Sequence, residues 1–156
     1  MRSLEKRIQH VWAATSILTA GFLAGLIGVV QVLIQGSFSL VVLTISFGLF
    51  VFTGVLYSIL RYRNWGFEMR DDYLYLEHGV IRKVKTKVPY VRVQHVDTQR
   101  GLVDRIAGLS SLVVYTAGSR GADVGIPGLL PEDADEIQEE LRKVAVESEE
   151  EFGDAV

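Results

Sequence analysis

The chain has 156 residues, of which 49% are hydrophobic and 22% charged, with a net charge of -3 and no cysteine. This length suits about one ordinary domain and excludes a large multidomain enzyme. Without cysteine there are no disulfides, thiolate metal sites or thiol nucleophiles. The segments 1–10, 11–60, 61–130 and 131–156 carry net charges of +2, 0, +4 and -9. The chain therefore consists of three chemically different parts: an uncharged one, a basic one and an acidic end.

Two long uncharged stretches, 11–35 and 37–60, lie near the start of the sequence. Each exceeds the roughly 20 residues that a helix needs to cross a bilayer. They predict two membrane-spanning helices, antiparallel because only residues 35–37 separate them. A secretory signal peptide is not expected, since the first stretch is too long for a signal core and no cleavage site of small residues follows it. Two buried helices of a soluble core would need more cover than this chain provides.

Positive charge flanks the predicted hairpin on one side only. Arg2, Lys6 and Arg7 precede the first helix, Arg61 and Arg63 follow the second, and the turn is uncharged. The positive-inside rule therefore predicts a multi-pass protein of the cell (plasma) membrane with both termini in the cytoplasm.

Small residues form two neighbouring rows along the first predicted helix. One row is Gly21 and Gly25, and the other is Ala20, Ala24 and Gly28, continued by Gln31. Such rows let helices approach closely in lipid. They pack either against the second helix of the same hairpin or against another subunit, where Gln31 would bond to a partner helix. Neither span contains an ionisable residue, so a transporter acting alone is not expected.

Beyond residue 63 the apolar pattern changes to short alternating runs, which predict antiparallel strands. The predicted strands are 65–69, 73–78, 80–88, 91–98, 112–116 and 123–126, with a helical turn at 102–107. Pro131 and the acidic residues after it begin a last helix, which ends by Val146 and whose apolar stripe would cap the sheets. The remaining acidic run is expected to be disordered.

These elements define the domain organisation and the fold class. The predicted parts are a basic N-terminus (1–10), a transmembrane hairpin (11–62), a cytoplasmic domain (63–146) and an acidic disordered tail (147–156). The fold class is α+β, a two-helix transmembrane hairpin followed by an antiparallel β-sandwich or barrel that a C-terminal helix caps.

Four stretches of the second half together resemble a known family. They are 79–83, 88–96, 101–109 and 114–118, and they include P-Y-x-R-V-Q-x-V followed by G-L-x-x-R-x-x-G-L. This pattern resembles the YdbS-like membrane proteins, which carry a bacterial-type pleckstrin-homology (PH) domain behind a two-helix hairpin. The resemblance extends over residues 12–144. It implies a PH-like fold, two near-orthogonal sheets with a C-terminal helix at one end, and no established reaction.

Six residues of these blocks are interpreted as structural: Pro89, Arg92, Gln94, Gly101, Arg105 and Gly108. Pro89 suits a strand start or edge because it lacks a backbone donor. The three polar residues are expected to form a short network with Asp97 or Asp104. The two glycines are expected to need a positive φ.

Candidate catalytic groups are few and match no known arrangement. They are His78, His95, Asp97, Asp104, Ser110 and Ser111. Their spacing fits no nucleophile elbow, zinc pair or two-carboxylate site. We therefore expect no enzyme activity, no cofactor and no bound metal, and the sequence identifies no small-molecule substrate.

Basic side chains could hold the domain against lipid. Lys83, Lys85 and Lys87 alternate on one predicted strand, and Arg61 and Arg63 are near in sequence. Each would contribute about 1 kcal/mol at an anionic leaflet. Nucleic-acid binding is not expected, since the positive charge is modest and no aromatic residues interleave with it.

The function that the sequence favours is a scaffold. We expect a non-enzymatic subunit of a membrane protein assembly, in contact with the lipid bilayer and forming a homo-oligomer or a complex with a related membrane protein. The alternative is an anionic-lipid-binding module that uses the basic strand 82–87.

Overall fold

A computed structural model describes residues 1–117 and 124–154. The chain forms two compact units. The first is a helical hairpin, Gln9–Arg63, and the second is a β-sheet domain that combines Met1–Ile8 with Asn64–Val156. Long apolar helices in one unit and antiparallel sheets in the other confirm the expected α+β class.

The helical hairpin consists of α1 (Arg7–Gln35) and α2 (Leu40–Arg63). Both are long and apolar enough to cross a membrane, with a mean hydropathy of 2.3 in each. The turn between them is longer than the sequence predicts. Gly36 takes a positive φ of 64°, and the backbone N–H of Ser39 donates to Oε1 of Gln31 at 3.3 Å, so α2 begins only after Ser39.

The β-sheet domain contains two antiparallel sheets of three strands each. The first sheet is formed by β1 (Gly66–Met69), β2 (Tyr73–His78) and β3 (Val84–Pro89), in that order. The second is formed by β4 (Val93–Gln99), β5 (Ser110–Thr116) and β6 (Val124–Leu129), also in that order. A 3-10 turn at Tyr90–Arg92 joins the sheets, and α3 (Leu102–Ala107) connects β4 to β5.

Several strand boundaries differ from those predicted. β3 begins at Val84 rather than at residue 80, because the chain makes a wider loop after Gly79, whose φ is 110°. The stretch that starts at Val91 begins within the 3-10 turn. β6 continues through Pro127 to Leu129, since an edge strand tolerates proline. The predicted start of that strand, Asp123, lies outside the described residues.

The last helix, α4 (Pro131–Asp154), is longer than predicted. The expectation of a disordered tail over 147–156 is wrong up to Asp154, because the acidic run continues the helix. Glutamate is a good helix former, so this segment can stay helical without the apolar stripe that the prediction required.

The core of the β-sheet domain lies between the sheets and α4. Leu74, Leu76, Leu112, Val114 and Ile126 from the strands are less than 2% exposed. The sequence predicts an apolar stripe of Ala134, Ile137, Leu141 and Val144 on α4. The first three are buried against the sheets, whereas Ala145 is buried in place of Val144. The helix therefore caps the sheets, and one side of it packs along β4 and β5.

The first eight residues complete the β-sheet domain, whereas the sequence predicts a separate basic segment over 1–10. Arg2 and Phe67 exchange backbone hydrogen bonds of 2.7 and 3.1 Å at the outer edge of β1. The N–H of Glu5 donates to the carbonyl of Gly128, at the outer edge of β6. Leu4 and Ile8 are each only 3% exposed. One strap of chain thus covers an edge of each sheet.

Candidate functional site

The two rows of small residues on α1 face different surroundings. Ala20, Ala24 and Gly28 are buried inside the hairpin, and a Cβ at Gly28 would lie 3.2 Å from Phe38. Gly21 and Gly25 are exposed, and no atom comes within 4 Å of a Cβ placed at Gly25. The second row therefore packs against α2, and the first faces outward from the hairpin.

Polar side chains of the hairpin form hydrogen bonds within the hairpin itself. Oε1 of Gln31 accepts from Ser39, so this oxygen serves the turn rather than a partner helix. Ser16 and Ser58 share a hydrogen bond of 3.2 Å between their hydroxyl oxygens. A Cβ at Gly54 would lie 2.7 Å from Cβ of Ser16. The contact of Ser16 with Gly54 was not predicted from the sequence, although Gly54 and Ser58 stand four residues apart on α2 and so share one face.

The lysines predicted to contact lipid are exposed but do not form a purely basic face. Nζ of Lys83 and of Lys85 lie 4.0 and 3.9 Å from the carboxylate of Glu77. Glu77 stands opposite Lys85 in the register of β2 and β3. Nζ of Lys87 lies 5.2 Å from the ring centroid of Tyr73. One carboxylate thus reduces the positive charge of this surface.

Arg61 and Arg63 belong to the last turn of α2, where cations interact favourably with the helix dipole. The guanidinium of Arg61 lies over the ring of Trp12, 4.0 Å from the centroid. Both side chains are exposed.

Pro89 and Tyr90 connect the two sheets. Pro89 is the last residue of β3, as expected for a residue without a backbone donor. The buried hydroxyl of Tyr90 donates to the carbonyl of Arg70 at 2.7 Å. The backbone N–H of Tyr90 donates to the carbonyl of Asp72. Burial raises the pKa of Tyr90 above its usual value. This role of Tyr90 was not predicted from the sequence, although the residue lies inside the motif.

The expected polar network of Arg92, Gln94 and Arg105 does not form. Arg92 donates instead to the carbonyl of Ala117 at 3.3 Å. Among the described residues, no ion pair joins either arginine to Asp97 or Asp104. The reason is that Oδ2 of Asp104 accepts from the N–H of Gly101, at the start of α3.

The two motif glycines differ in conformation. Gly108 has a φ of 68° and ends α3, as expected. The same expectation is wrong for Gly101, whose φ of -68° is open to any residue. Gly101 acts through its backbone, because its N–H bonds to Asp104 and its carbonyl accepts from Arg105.

The candidate catalytic side chains are divided among both sheets and α3. His78 stacks on Trp65, with ring centroids 6.1 Å apart, in the first sheet. His95 stacks on Tyr115 at 4.1 Å in the second. Ser110 is buried, and its hydroxyl has no hydrogen-bond partner among the described residues.

A groove of about 500 Å³ runs between β4 and α4, and we call it the β4–α4 groove. Val93, Gln94 and Val96 line it from the strand. Asp135 and Val146 lie among the residues that line it from the helix. Its lining thus combines apolar side chains with polar groups at the rim.

β4 lies at the edge of its sheet beside this groove, and Gln138 of α4 occupies one position of its outer edge. The carbonyl of Val96 points away from β5, since it accepts from Nε2 of Gln138 on α4 at 2.6 Å. Gln94 has no partner on β5, because Val93 pairs with Thr116 and His95 with Tyr115. The motif residue Gln94 is therefore the extra residue of a β-bulge, a feature often found beside binding sites.

The helix side of the groove is acidic. Glu139 forms two hydrogen bonds to Arg142, of 3.0 and 2.8 Å, which lower the pKa of this carboxyl. Asp135 makes no ion pair with the residues that the structure describes. The groove thus presents an unneutralised carboxylate beside an open strand edge.

Comparison with known proteins agrees with this architecture. The family model described as "Bacterial PH domain" matches residues 19–145. The transmembrane protein YdbS of Bacillus subtilis is 29% identical over 86 residues, 55% of this chain and 52% of that protein. The transmembrane protein YdbT of the same organism is 30% identical over 87 residues, 55% of this chain and 18% of that protein. No solved structure is significantly similar to the chain. The chain thus belongs to the bacterial PH domain family, as a YdbS-like membrane protein.

Proposed function

We propose that this protein is a non-enzymatic subunit or scaffold of a membrane protein assembly and that the β4–α4 groove holds its partner. The observation that carries this proposal is the open edge of β4 beside a groove of about 500 Å³. The proposed location is the plasma membrane with both termini in the cytoplasm, which the one-sided positive charge supports.

An open strand edge supports binding of an extended peptide segment. A partner strand that pairs with β4 would gain main-chain hydrogen bonds, and its alternate side chains would enter the groove. Residues 1–8 bond to the outer edges of β1 and β6, so two of the four sheet edges are covered by this chain. Exposed edges risk non-specific pairing, so an edge that stays open beside a groove favours a specific partner.

The charge of α4 indicates the chemistry of that partner. From Pro131 to Ser148 the helix carries seven acidic and two basic side chains. Asp135 lies at the groove, and Arg142 is already paired with Glu139. A segment with basic side chains between apolar ones would complement this surface, and such a segment could belong to a related membrane protein.

Peptide binding to the full chain in lipid nanodiscs tests this function. The probe is a fluorescent capped peptide of alternating valine and lysine, compared with one in which glutamate replaces lysine. We expect the lysine peptide to bind at least about tenfold more tightly, a difference of about 1.4 kcal/mol. Val146→Arg, which fills the groove, should abolish binding.

The matched control is Glu140→Gln. It changes the charge of α4 by the same amount as Val146→Arg does, but at a residue outside the groove. It should bind the lysine peptide nearly as well as the unaltered chain. Equal binding of both peptides, or full binding by Val146→Arg, would rule out the groove as the partner site.

The second candidate is contact with anionic lipid through the strand 82–87, together with Arg61 and Arg63. It is favoured by the exposure of Lys83, Lys85 and Lys87, and weakened by Glu77, which lies near two of them. Lysine acetylation in nanodiscs with and without phosphatidylglycerol separates the two candidates. Anionic lipid should slow acetylation of these lysines but not of Lys143 on α4. Equal rates in both lipids would exclude this contact.

A further inference from the structure

We propose that α3 is an interfacial anchor, a short helix that inserts its apolar face into the headgroup region of an anionic bilayer. The apolar face consists of Leu102, Val103 and Ile106, which are 79%, 55% and 89% exposed. Moving each of these three apolar side chains out of water would lower the free energy by about 25 cal/mol per Å² of apolar surface buried. This surface is separate from the β4–α4 groove and from the basic strand.

Within the β-sheet domain, α3 lies beside the residues that lead into the first apolar helix. A Cβ at Gly108, which ends α3, would lie 3.2 Å from Nη1 of Arg7. Arg7 and Ile8 are the first residues of α1, and the uncharged stretch begins at Val11. At 1.5 Å per residue, Ile8 precedes that stretch by only about 5 Å of helix. A lipid surface is therefore within reach of α3.

The charges around α3 suit an anionic surface. Arg105 lies on α3 next to Ile106, and Arg7 lies beside the C-terminal end of the helix. Arg100 precedes the helix and donates through Nε to the carbonyl of Leu109 at 3.2 Å. The acidic residue of α3, Asp104, is turned to the backbone of Gly101. Apolar side chains bordered by arginines are typical of helices that lie in the membrane interface. An anchor of this kind would hold the domain at the surface through apolar contacts, which salt does not screen.

Because the chain contains no cysteine, a single introduced cysteine can be labelled specifically. Ile106→Cys in the full chain is labelled with the environment-sensitive dye NBD and placed in phosphatidylcholine vesicles that contain phosphatidylglycerol and doxyl-labelled lipid. We expect NBD emission shifted to shorter wavelength and strong quenching by doxyl. Glu132→Cys, exposed on α4, is the control and should show neither effect. Because the side chain of Ile106 is exposed, its replacement leaves the core intact.

Three further outcomes decide the proposal. Weaker quenching when phosphatidylglycerol is omitted would support the role of the arginines. Quenching at Ile106 no stronger than at Glu132 would overturn the proposal. A shift to shorter wavelength without doxyl quenching would also overturn it, because it would show that the apolar face is covered by protein, such as a second copy of the chain.

Discussion

At position 128 only a glycine fits, and the neighbour that excludes other residues is 120 positions away in the sequence. Gly128 has a φ of 65°, and a Cβ there would lie 2.6 Å from Cβ of Ile8. We expect Gly128→Ala to lower the free energy of unfolding of the β-sheet domain by about 1–3 kcal/mol. The measurement is urea unfolding, followed by Trp65 emission in a Trp12→Phe background.

A second glycine of β6 serves as the control. Gly125 has ordinary backbone angles, and its nearest neighbour would lie 3.9 Å from an added Cβ. Gly125→Ala should therefore be nearly neutral. Equal stability of the two alanine variants would contradict the close approach of Ile8 to Gly128.

Tyr90 makes the β-sheet domain sensitive to alkaline pH. Its raised pKa means that the folded domain holds the phenol proton more tightly than the unfolded chain does. This contribution is complete below about pH 10, the pKa of a free tyrosine, and is lost as the pH rises through the folded-state pKa. We expect the stability to fall above about pH 10.

The variant Tyr90→Phe keeps the buried ring but removes the hydroxyl that titrates. Loss of the hydrogen bond to Arg70 should cost about 1–3 kcal/mol at neutral pH, and the decline at alkaline pH should become shallower. Tyr75, whose pKa is also raised, would contribute to what remains. An unchanged alkaline slope in Tyr90→Phe, measured by unfolding at each pH, would exclude this role.

Two motif glycines show how far residue types can be interpreted without a structure. Gly101 and Gly108 bracket α3 in the same motif, yet only Gly108 takes a positive φ. The motif marks the ends of a helix, but φ depends on how the chain enters and leaves it. At Gly101 the chain arrives extended from β4, so this glycine begins the helix without strain.

At the scale of elements, the two faces of α1 make different contacts. The buried row already packs against α2. Gly21 is exposed but has Phe47 of α2 at 3.9 Å from an added Cβ, and Gly25 has no neighbour within 4 Å. If the hairpin associates with another subunit, Gly25→Leu should separate the subunits by keeping their helices apart. Detergent-corrected light scattering should then show an oligomer for the unaltered chain and a smaller species for Gly25→Leu.

Gly48→Leu is the matched control, since it adds the same side chain at an open position of α2. It should keep the mass of the unaltered chain. If the unaltered chain and both variants were all monomers, and no related membrane protein co-purified with them, association through this face would lose its support.

The element boundaries that the sequence predicted well are those fixed by local chemistry. β2 covers the predicted 73–78, α3 the predicted 102–107, and α4 begins at Pro131. The predicted start of β3 was wrong because alternation continues through residues 80–83, although the loop after Gly79 carries them away from the sheet. The β4–α4 groove was not predictable, since it depends on which strand of the sheet lies at the edge.

At the scale of the whole molecule, the beginning of the chain stabilises a domain whose other residues follow the hairpin. Leu4 is 3% exposed within the β-sheet domain. Leu4→Ala should destabilise that domain by about 2–5 kcal/mol through loss of burial and the cavity left behind. Lys6→Ala, at an exposed position of the same strap, should have little effect. Unchanged urea unfolding in Leu4→Ala would show that the strap does not support the fold.

The proposed topology can be tested in cells with single cysteines. If both termini are cytoplasmic, a membrane-impermeant maleimide should label Ser37→Cys, in the turn of the hairpin, in intact cells. Ser3→Cys should react only after lysis, because the positive-inside rule retains the basic flanks in the cytoplasm. Labelling of Ser3→Cys in intact cells would reverse the assigned orientation.

The sequence by itself determined the two apolar helices, the α+β class and the family, since these depend on runs of apolar residues, short-range alternation and a spaced motif. Only the tertiary structure decided that residues 1–8 belong to the β-sheet domain and that Gln94 is a bulge beside a groove. Only the tertiary structure also showed that Gly21 and Gly25 are exposed on α1 and that the apolar face of α3 is exposed. Each of these features depends on contacts between segments far apart in sequence, which local patterns do not encode.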